Sequence, residues 1–242
     1  MLKFFARVFL APVARLLFRP RIIGARNVPR SGPVLIASNH LSFIDSVVIT
    51  LVAPRSVSFL AKSDYFTGTG FRGWLSRAFF TGIGAIPVER SAGQAAQDAL
   101  NSGLHVLEHG DAFAIYPEGT RSRDGRLYRG RTGVAWLALT SGAPVVPVAL
   151  TGTEHIQPPG SSRIHLARVT VQFGIPVVYA GAADSGRDRR NVTDDIMEAI
   201  QVMSGQAFAD EYNEPPAATA AGRARRKFRE RARRLFRRDG RH

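Results

Sequence analysis

Residues 33–45 read PVLIASNHLSFID. Pro33 to Ser38 is a short apolar run with the look of a strand, and from about residue 44 to 52 the pattern becomes helical. Asn39, His40, Ser42 and Asp45 stand at the corner between them. A histidine at the carboxyl end of a strand lies where open α/β sheets place their sites. Asp45, a little over one turn further on, can curl back and hydrogen-bond one ring nitrogen of His40. That fixes the tautomer and leaves the other nitrogen free to take a proton. Taken alone, the pair reads equally as a coincidental histidine near an aspartate.

Outward from this corner the same alternation repeats. Strand-like runs occupy 33–38, 56–61, 84–89, 111–117, 143–150 and 167–174. Helical patterns fall at 44–52, 71–80, 94–108, 131–141 and 191–203. In 94–108, Ala96, Leu100, Leu104 and Leu107 share one face and Gly110 supplies the stop. Strands alternating with helices predict an α/β fold, a mostly parallel twisted sheet flanked by helices. The 242 residues suit one such domain with short appendages, and 45% apolar content supports a full core. With no cysteine, a disulfide scaffold, a thiolate metal site and a cysteine nucleophile are all excluded. No apolar run approaches the ~18–20 residues of a membrane span.

The formal charge of +14 is concentrated at the ends: +7 over residues 1–30, +9 over 221–242 and −2 between. A near-neutral body with two basic ends suggests an anionic partner, nucleic acid or phospholipid. Residues 2–18, LKFFARVFLAPVARLLF, put Phe, Leu and Val on one half of a helix and Lys3, Arg7, Arg15 and Arg19 on the other, with Pro12 as a kink. Toward the other end Ala221, Ala224, Phe228, Ala232, Leu235 and Phe236 fall within about 120° of a helix whose remainder is mostly Arg. An apolar stripe under cations favours a membrane surface over nucleic acid. The expected organisation is a membrane-associating amphipathic helix over 1–20, a catalytic domain over 21–213, and a linker with a basic amphipathic tail over 214–242.

A second polar cluster, Tyr116-Pro117-Glu118-Gly119-Thr120-Arg121-Ser122, ends the 111–117 strand. It gathers a carboxylate, a glycine, hydroxyls and a guanidinium, and Arg is suited to bidentate phosphate contact. A polar turn before a helix is the plainer alternative.

Together these segments resemble the glycerolipid acyltransferases. Asn39, His40, Ser42 and Asp45 match that family's N-H-x-S-x-x-D signature, and Pro117 to Ser122 match F-P-E-G-T-R-S with Tyr116 in place of Phe. Gly84, Ile86, Val88 and Arg90 match a second motif, and Val146-Pro147-Val148 a fourth, all in the family's order within about 25–205. The resemblance is nearest to 1-acylglycerol-3-phosphate acyltransferases. It implies a peripheral or monotopic enzyme at the cytoplasmic face of a membrane. Such an enzyme takes lysophosphatidate and acyl-CoA or acyl-acyl carrier protein, and needs no metal or cofactor. His40 would be the general base, oriented by Asp45. Arg121 would bind the phosphate, with Arg90 and Lys62 next in line and Glu118, Gly119 and Thr120 around them. Glu118 is expected to organise its loop, pairing Arg121. The same motifs fit acylation of glycerol 3-phosphate or another lysolipid.

Three other patterns in the chain point to different chemistry and lack what it requires. Gly68, Gly70 and Gly73 spell G-x-G-x-x-G, but they do not directly follow a strand and no acidic residue stands about twenty positions on. His105, Glu108 and His109 spell H-x-x-E-H without an evident third zinc ligand. Lacking a G-x-S-x-G elbow, a hydrolase would need Ser42 as nucleophile; a capping or positioning hydroxyl is the expectation. A binding module without chemistry would use only the basic ends and tolerate loss of His40.

Overall fold

The computed structural model describes residues 19–88, 94–158 and 163–214, together with Pro12. These form a seven-stranded sheet in the order β1-β8-β7-β2-β5-β3-β4. Its strands are β1 (Arg21–Ile23), β2 (Val34–Ser38), β3 (Val57–Lys62), β4 (Ala85–Val88), β5 (Ala112–Ile115), β7 (Val145–Thr151) and β8 (Thr170–Phe173), with β6 (Leu127–Tyr128) and β9 (Phe208–Ala209) paired apart from it. The helices are α1 (Asp45–Val52), α2 (Gly70–Gly82), α3 (Gln94–Glu108), α4 (Gly133–Ser141), α5 (Thr153–Ile156) and α6 (Gly186–Ser204).

β2, the run from residue 34 to 38, is the middle of this sheet. Leu35 pairs with Phe113 of β5 on one side and Val145 of β7 on the other, both parallel. Every residue of β2 is buried, as a strand covered on both faces must be. Side chains alternate between two cores. Val34 and Ile36 pack with Val47, Ile49 and Val52 of α1 and Phe80 of α2. Leu35 and Ala37 pack with Val134 and Leu137 of α4, Ile196 and Ile200 of α6, and Leu107 of α3.

That layering follows from the connections. From β2 the chain passes through α1 to β3, beyond β5 in the sheet; from β5 it passes through α4 to β7, beyond β2. The two crossovers travel in opposite directions, so right-handed connections put their helices on opposite faces. The divergence between the carboxyl ends of β2 and β5 is a topological switch point, where such sheets leave a crevice. His40 follows β2 and Tyr116–Ser122 follow β5, so both clusters sit there.

The mostly parallel, helix-flanked sheet is as the sequence indicated, and each of the six strand-like runs holds a strand. The departures are short or reversed elements. β8 is antiparallel to β7, because a one-turn helix and a loop join them instead of a full crossover helix. β1, β6 and β9 are two or three residues long, too short for any periodicity to show. The helix expected over 1–20 lies, apart from Pro12, Arg19 and Pro20, outside the described residues, as do Arg90 and the tail beyond Glu214. No helix among the described residues is long and apolar enough to cross a membrane.

Candidate active site

Asp45 opens α1 and is fully buried. Its Oδ2 accepts three hydrogen bonds: from the backbone N–H of Leu41 at 2.7 Å, from that of Ser42 at 2.8 Å, and from Nδ1 of His40 at 2.8 Å. The carboxylate therefore folds residues 40–42 around itself and fixes the ring it holds. With Nδ1–H donating to Asp45, the imidazole carries its lone pair on Nε2, which has no hydrogen-bond partner among the described residues. The His40 side chain keeps 17% of its surface exposed against none for Asp45. This is the base-and-orienter arrangement used for proton abstraction.

The β5 corner supports the same histidine from below. The Tyr116 ring stacks on the imidazole, centroids 3.9 Å apart and planes 12° from parallel. Its hydroxyl meets Ser46 Oγ at 2.7 Å. Burial, with the Asp45 charge added, holds the Tyr116 phenol well above its ordinary range, so it stays neutral. Glu118 is fully buried; Oε1 accepts from the His40 backbone N–H at 2.9 Å and Oε2 from that of Tyr128 at 3.1 Å. The loops are further tied by Ser122 N–H donating to the His40 carbonyl at 2.7 Å. Burial lifts the Glu118 carboxyl to about 7; its two N–H donors oppose the rise, while Asp45 and Asp124 add to it.

Glu118 thus organises the loop through backbone donors, not by pairing Arg121 as anticipated. The reason is position: Glu118 points into the protein, whereas Arg121 is exposed and makes no side-chain hydrogen bond or ion pair among the described residues. Gly119 adopts φ +74°, a left-handed conformation that favours glycine at this turn. The Thr120 and Arg121 carbonyls are both held by Asn213 Nδ2, at 3.3 and 3.0 Å. Ser42 Oγ donates to the Gln157 carbonyl at 3.2 Å and caps no helix, which fits the positioning alternative.

Lys62 closes β3, two strands from β2 along the same carboxyl edge, and pairs with Asp64. Arg90 lies outside the described residues. Gly84 of the second motif has φ +86°, and a Cβ there would lie 2.6 Å from the Val57 carbonyl oxygen: this glycine is a packing requirement between strands. The G-x-G-x-x-G stretch is another, since a Cβ on Gly73 would sit 2.0 Å from the Gly68 carbonyl oxygen. His105 lies on α3 and His109 in the turn just after it, with His109 Nδ1 2.7 Å from the His105 carbonyl oxygen.

Further residues support the site from a distance. Asn39 is buried and spans β2 to β7, exchanging hydrogen bonds with Leu150 at 2.8 and 2.9 Å and donating to Gln206 Oε1 at 2.7 Å. Arg131 reaches the Asn213 carbonyl at 3.2 Å. Asn39 was legible as part of a motif; Gln206 and Asn213 carry no local signal, being contacts across more than eighty positions.

Comparison with known proteins is consistent across sequence and structure. A family model described as Acyltransferase matches residues 19–151, more than half of the chain. A chloroplastic 1-acyl-sn-glycerol-3-phosphate acyltransferase of Brassica napus is 34% identical over 148 residues, 61% of this chain and 41% of that protein. A lyso-ornithine lipid O-acyltransferase of Rhizobium meliloti is 33% identical over 146 residues, 60% of this chain and 46% of its own length. The chain thus spans less than half the length of these curated relatives. The crystal structure of a 1-acyl-sn-glycerophosphate acyltransferase from Thermotoga maritima superposes with a TM-score of 0.61 at 20% identity, covering 82% of this chain and 81% of that one, a likeness of fold.

Proposed function

The chain belongs to the acyltransferase family, and from that premise we propose that it transfers a fatty acyl group from an acyl thioester to the free hydroxyl of 1-acyl-sn-glycerol 3-phosphate, giving phosphatidate. The observation that carries the reading is the His40–Asp45 contact at 2.8 Å, at the switch point, with Nε2 left free. An alcohol is a poor nucleophile until a base takes its proton. In this reading His40 Nε2 accepts that proton as the hydroxyl oxygen attacks the thioester carbonyl. Asp45 stabilises the imidazolium that forms. The tetrahedral intermediate then collapses, the C–S bond breaks, and His40 returns the proton to the leaving thiolate. No acyl-enzyme is needed, which suits a chain without cysteine.

Arg121 is the proposed phosphate ligand, because it alone of the 116–122 side chains is both cationic and exposed beside the histidine's loop. Lys62, at the end of β3, follows it along the sheet edge, Arg90 is retained from the sequence motif, and Gly119 and Thr120 are neighbouring contacts. Glu118 acts from beneath, holding the His40 backbone. The donor is acyl-CoA or acyl-acyl carrier protein, and the basic terminal segments 1–20 and 221–242 keep the 21–213 domain at the cytoplasmic face of an anionic membrane.

A second acceptor class has a specific observation behind it, the similarity to a protein named for lyso-ornithine lipid. Purified protein incubated with labelled oleoyl-CoA or oleoyl-acyl carrier protein and a panel of lysolipids decides between them. Labelled phosphatidate from lysophosphatidate is the expected product. Product from a lysolipid without phosphate would move the assignment to that class. Free fatty acid formed equally without any acceptor would overturn acyl transfer in favour of hydrolysis.

A further inference from the structure

The described surface carries large apolar side chains in two places along the carboxyl edge of the sheet. The first is the start of α2. Phe71, Trp74 and Leu75 are 75%, 57% and 53% exposed, and the Phe71 and Trp74 rings lie 5.8 Å apart. Spacing of three and four residues puts them on one stripe of the helix. Since α2 leaves the carboxyl end of β3 and returns to the start of β4, its first turns stand at the same edge as His40. The second place is the approach to β8, where Ile164 is 63% and Leu166 71% exposed. β8 runs antiparallel to β7, and Thr170 faces Thr151 at the carboxyl end of β7, so this approach also lies at the catalytic edge, on the opposite flank.

Neither place holds an acidic residue. The α2 sequence GFRGWLSRAFFTG contains Arg72 and Arg77, and residues 163–170, RIHLARVT, contain Arg163 and Arg168. Large apolar groups, a tryptophan and cations without any carboxylate are what the boundary of an anionic bilayer accepts: rings and aliphatics among the acyl chains, guanidinium groups at the headgroups. The patch belongs to residues 70–82 and 163–170 of the folded domain, outside the two terminal segments in sequence.

We propose that Phe71, Trp74 and Leu75 of α2, together with Ile164 and Leu166 on the far flank, insert into the surface of an anionic bilayer and so present the sheet's carboxyl edge, with His40, to the membrane. The purpose of the contact rests on the lipid-acylating reading above; its existence does not, because binding is measured without turnover. Two apolar prongs on either side of the switch point fix the tilt of the domain, which a single terminal anchor leaves free to rotate.

The test uses the full chain and vesicles of phosphatidylcholine and phosphatidylglycerol whose acyl chains are brominated, quenching any tryptophan that enters them. The chain has only Trp74 and Trp136. Tryptophan emission is expected to fall on binding, and that fall is expected to vanish in Trp74→Phe. The triple change Phe71→Ser, Trp74→Ser, Leu75→Ser alters exposed positions only. It is expected to weaken vesicle partition at least about tenfold, because each side chain that leaves the acyl chains forfeits its burial, and Ile164→Ser with Leu166→Ser is expected to weaken it further. Unchanged melting temperature and unchanged activity on detergent-dispersed substrate keep a folding defect apart from a binding one. The proposal is overturned if quenching persists in Trp74→Phe, or if the triple variant partitions like the intact chain. It is overturned equally if Trp74 becomes quenchable only after residues 1–18 are removed, which would make that segment the occupant of the face. A shift from dimer to monomer in the triple variant would instead assign the face to a second copy of the chain.

Discussion

Asp45→Asn separates the proposed chemistry from mere folding, and its effect can be worked from the contacts. One carboxylate oxygen of Asp45 accepts three N–H groups, and the other, Oδ1, is buried without a hydrogen-bond partner. An asparagine that keeps its carbonyl oxygen toward His40 preserves the three bonds in neutral form and buries its NH₂ group where Oδ1 now stands. An unsatisfied buried donor costs about 1–3 kcal/mol. The flipped amide sets its NH₂ against two backbone donors, and His40 can then meet it only as the other tautomer, with the proton on Nε2 and the base lost. In the first orientation the tautomer survives, but the imidazolium formed during reaction no longer faces a negative charge. Opposite unit charges about 4 Å apart near a protein surface attract by ~4 kcal/mol, which converts to about a thousandfold in rate. Both orientations therefore predict a fall in kcat of about 10²- to 10⁴-fold, with a melting midpoint lowered by roughly 4–8 °C for a loss of about 2 kcal/mol. Labelled acyl transfer gives kcat and KM, and circular dichroism gives the melt. His40→Ala measured beside it should cost as much, and the double variant little more, because the two residues act as one unit. A folded Asp45→Asn protein with kcat within a few-fold of the parent would refute the orientation argument.

Three further outcomes follow from the same contacts. Below about pH 4.5 Glu118 is protonated in folded and unfolded chains alike; between 4.5 and about 7 only the folded chain keeps the proton, so stability falls as pH rises through that window, by about 3 kcal/mol in all. Glu118→Gln should flatten that part of the stability profile while lowering stability at acid pH, and a denaturant series at several pH values that shows parallel slopes for both proteins would rule the assignment out. Arg121→Ala should raise KM for lysophosphatidate more than KM for the acyl thioester, with Arg121→Lys recovering only part because an ammonium lacks the bidentate fork; a change in the thioester KM alone would place Arg121 at the donor. Removing residues 221–242 takes away a net charge of +9, at about 1 kcal/mol per basic residue near an anionic surface. Flotation should therefore weaken mostly at low salt and high anionic lipid, and an unaltered salt dependence would assign the tail to another partner.

The parts of this structure that were legible from sequence are those fixed by local pattern. β2 showed itself because PVLIAS is apolar on both faces, and α3 because Ala96, Leu100, Leu104 and Leu107 recur at helical spacing before Gly110. The His40–Asp45 contact was legible because both partners lie within one βα corner, five residues apart. The reversal of β8 was not, since nothing in a four-residue strand states its direction. Nor was the support given by Tyr128, Gln157, Gln206 and Asn213: each meets the site through a backbone or amide contact, and sequence encodes no spacing for partners ten to a hundred and sixty-seven positions away. Glu118 shows the limit most plainly. Its sequence neighbours Gly119, Thr120 and Arg121 invite a role at the surface, and only burial reveals that it faces inward.

That inward carboxylate changes how the two polar corners work together. His40 is held by two acids from different corners, Asp45 at the start of α1 gripping the ring and Glu118 after β5 gripping the backbone N–H, while Tyr116, just past β5, closes its lower face. Burial raises the cost of ionising Glu118, and the nearby charge of Asp45 adds to that upward displacement. The arrangement is tolerable because the accepting atoms have donors: three N–H groups for Asp45 and two for Glu118, four of the five from the backbone. Backbone donors do not depend on which side chains the loops carry. The corner after β2 and the corner after β5 are therefore locked to each other by main-chain hydrogen bonds, including Ser122 N–H to the His40 carbonyl, before any substrate arrives. A rigid base between fixed loops leaves recognition to the exposed residues above it, so changes at Arg121, Thr120 and the sheet edge beyond them can alter the acceptor without disturbing proton transfer.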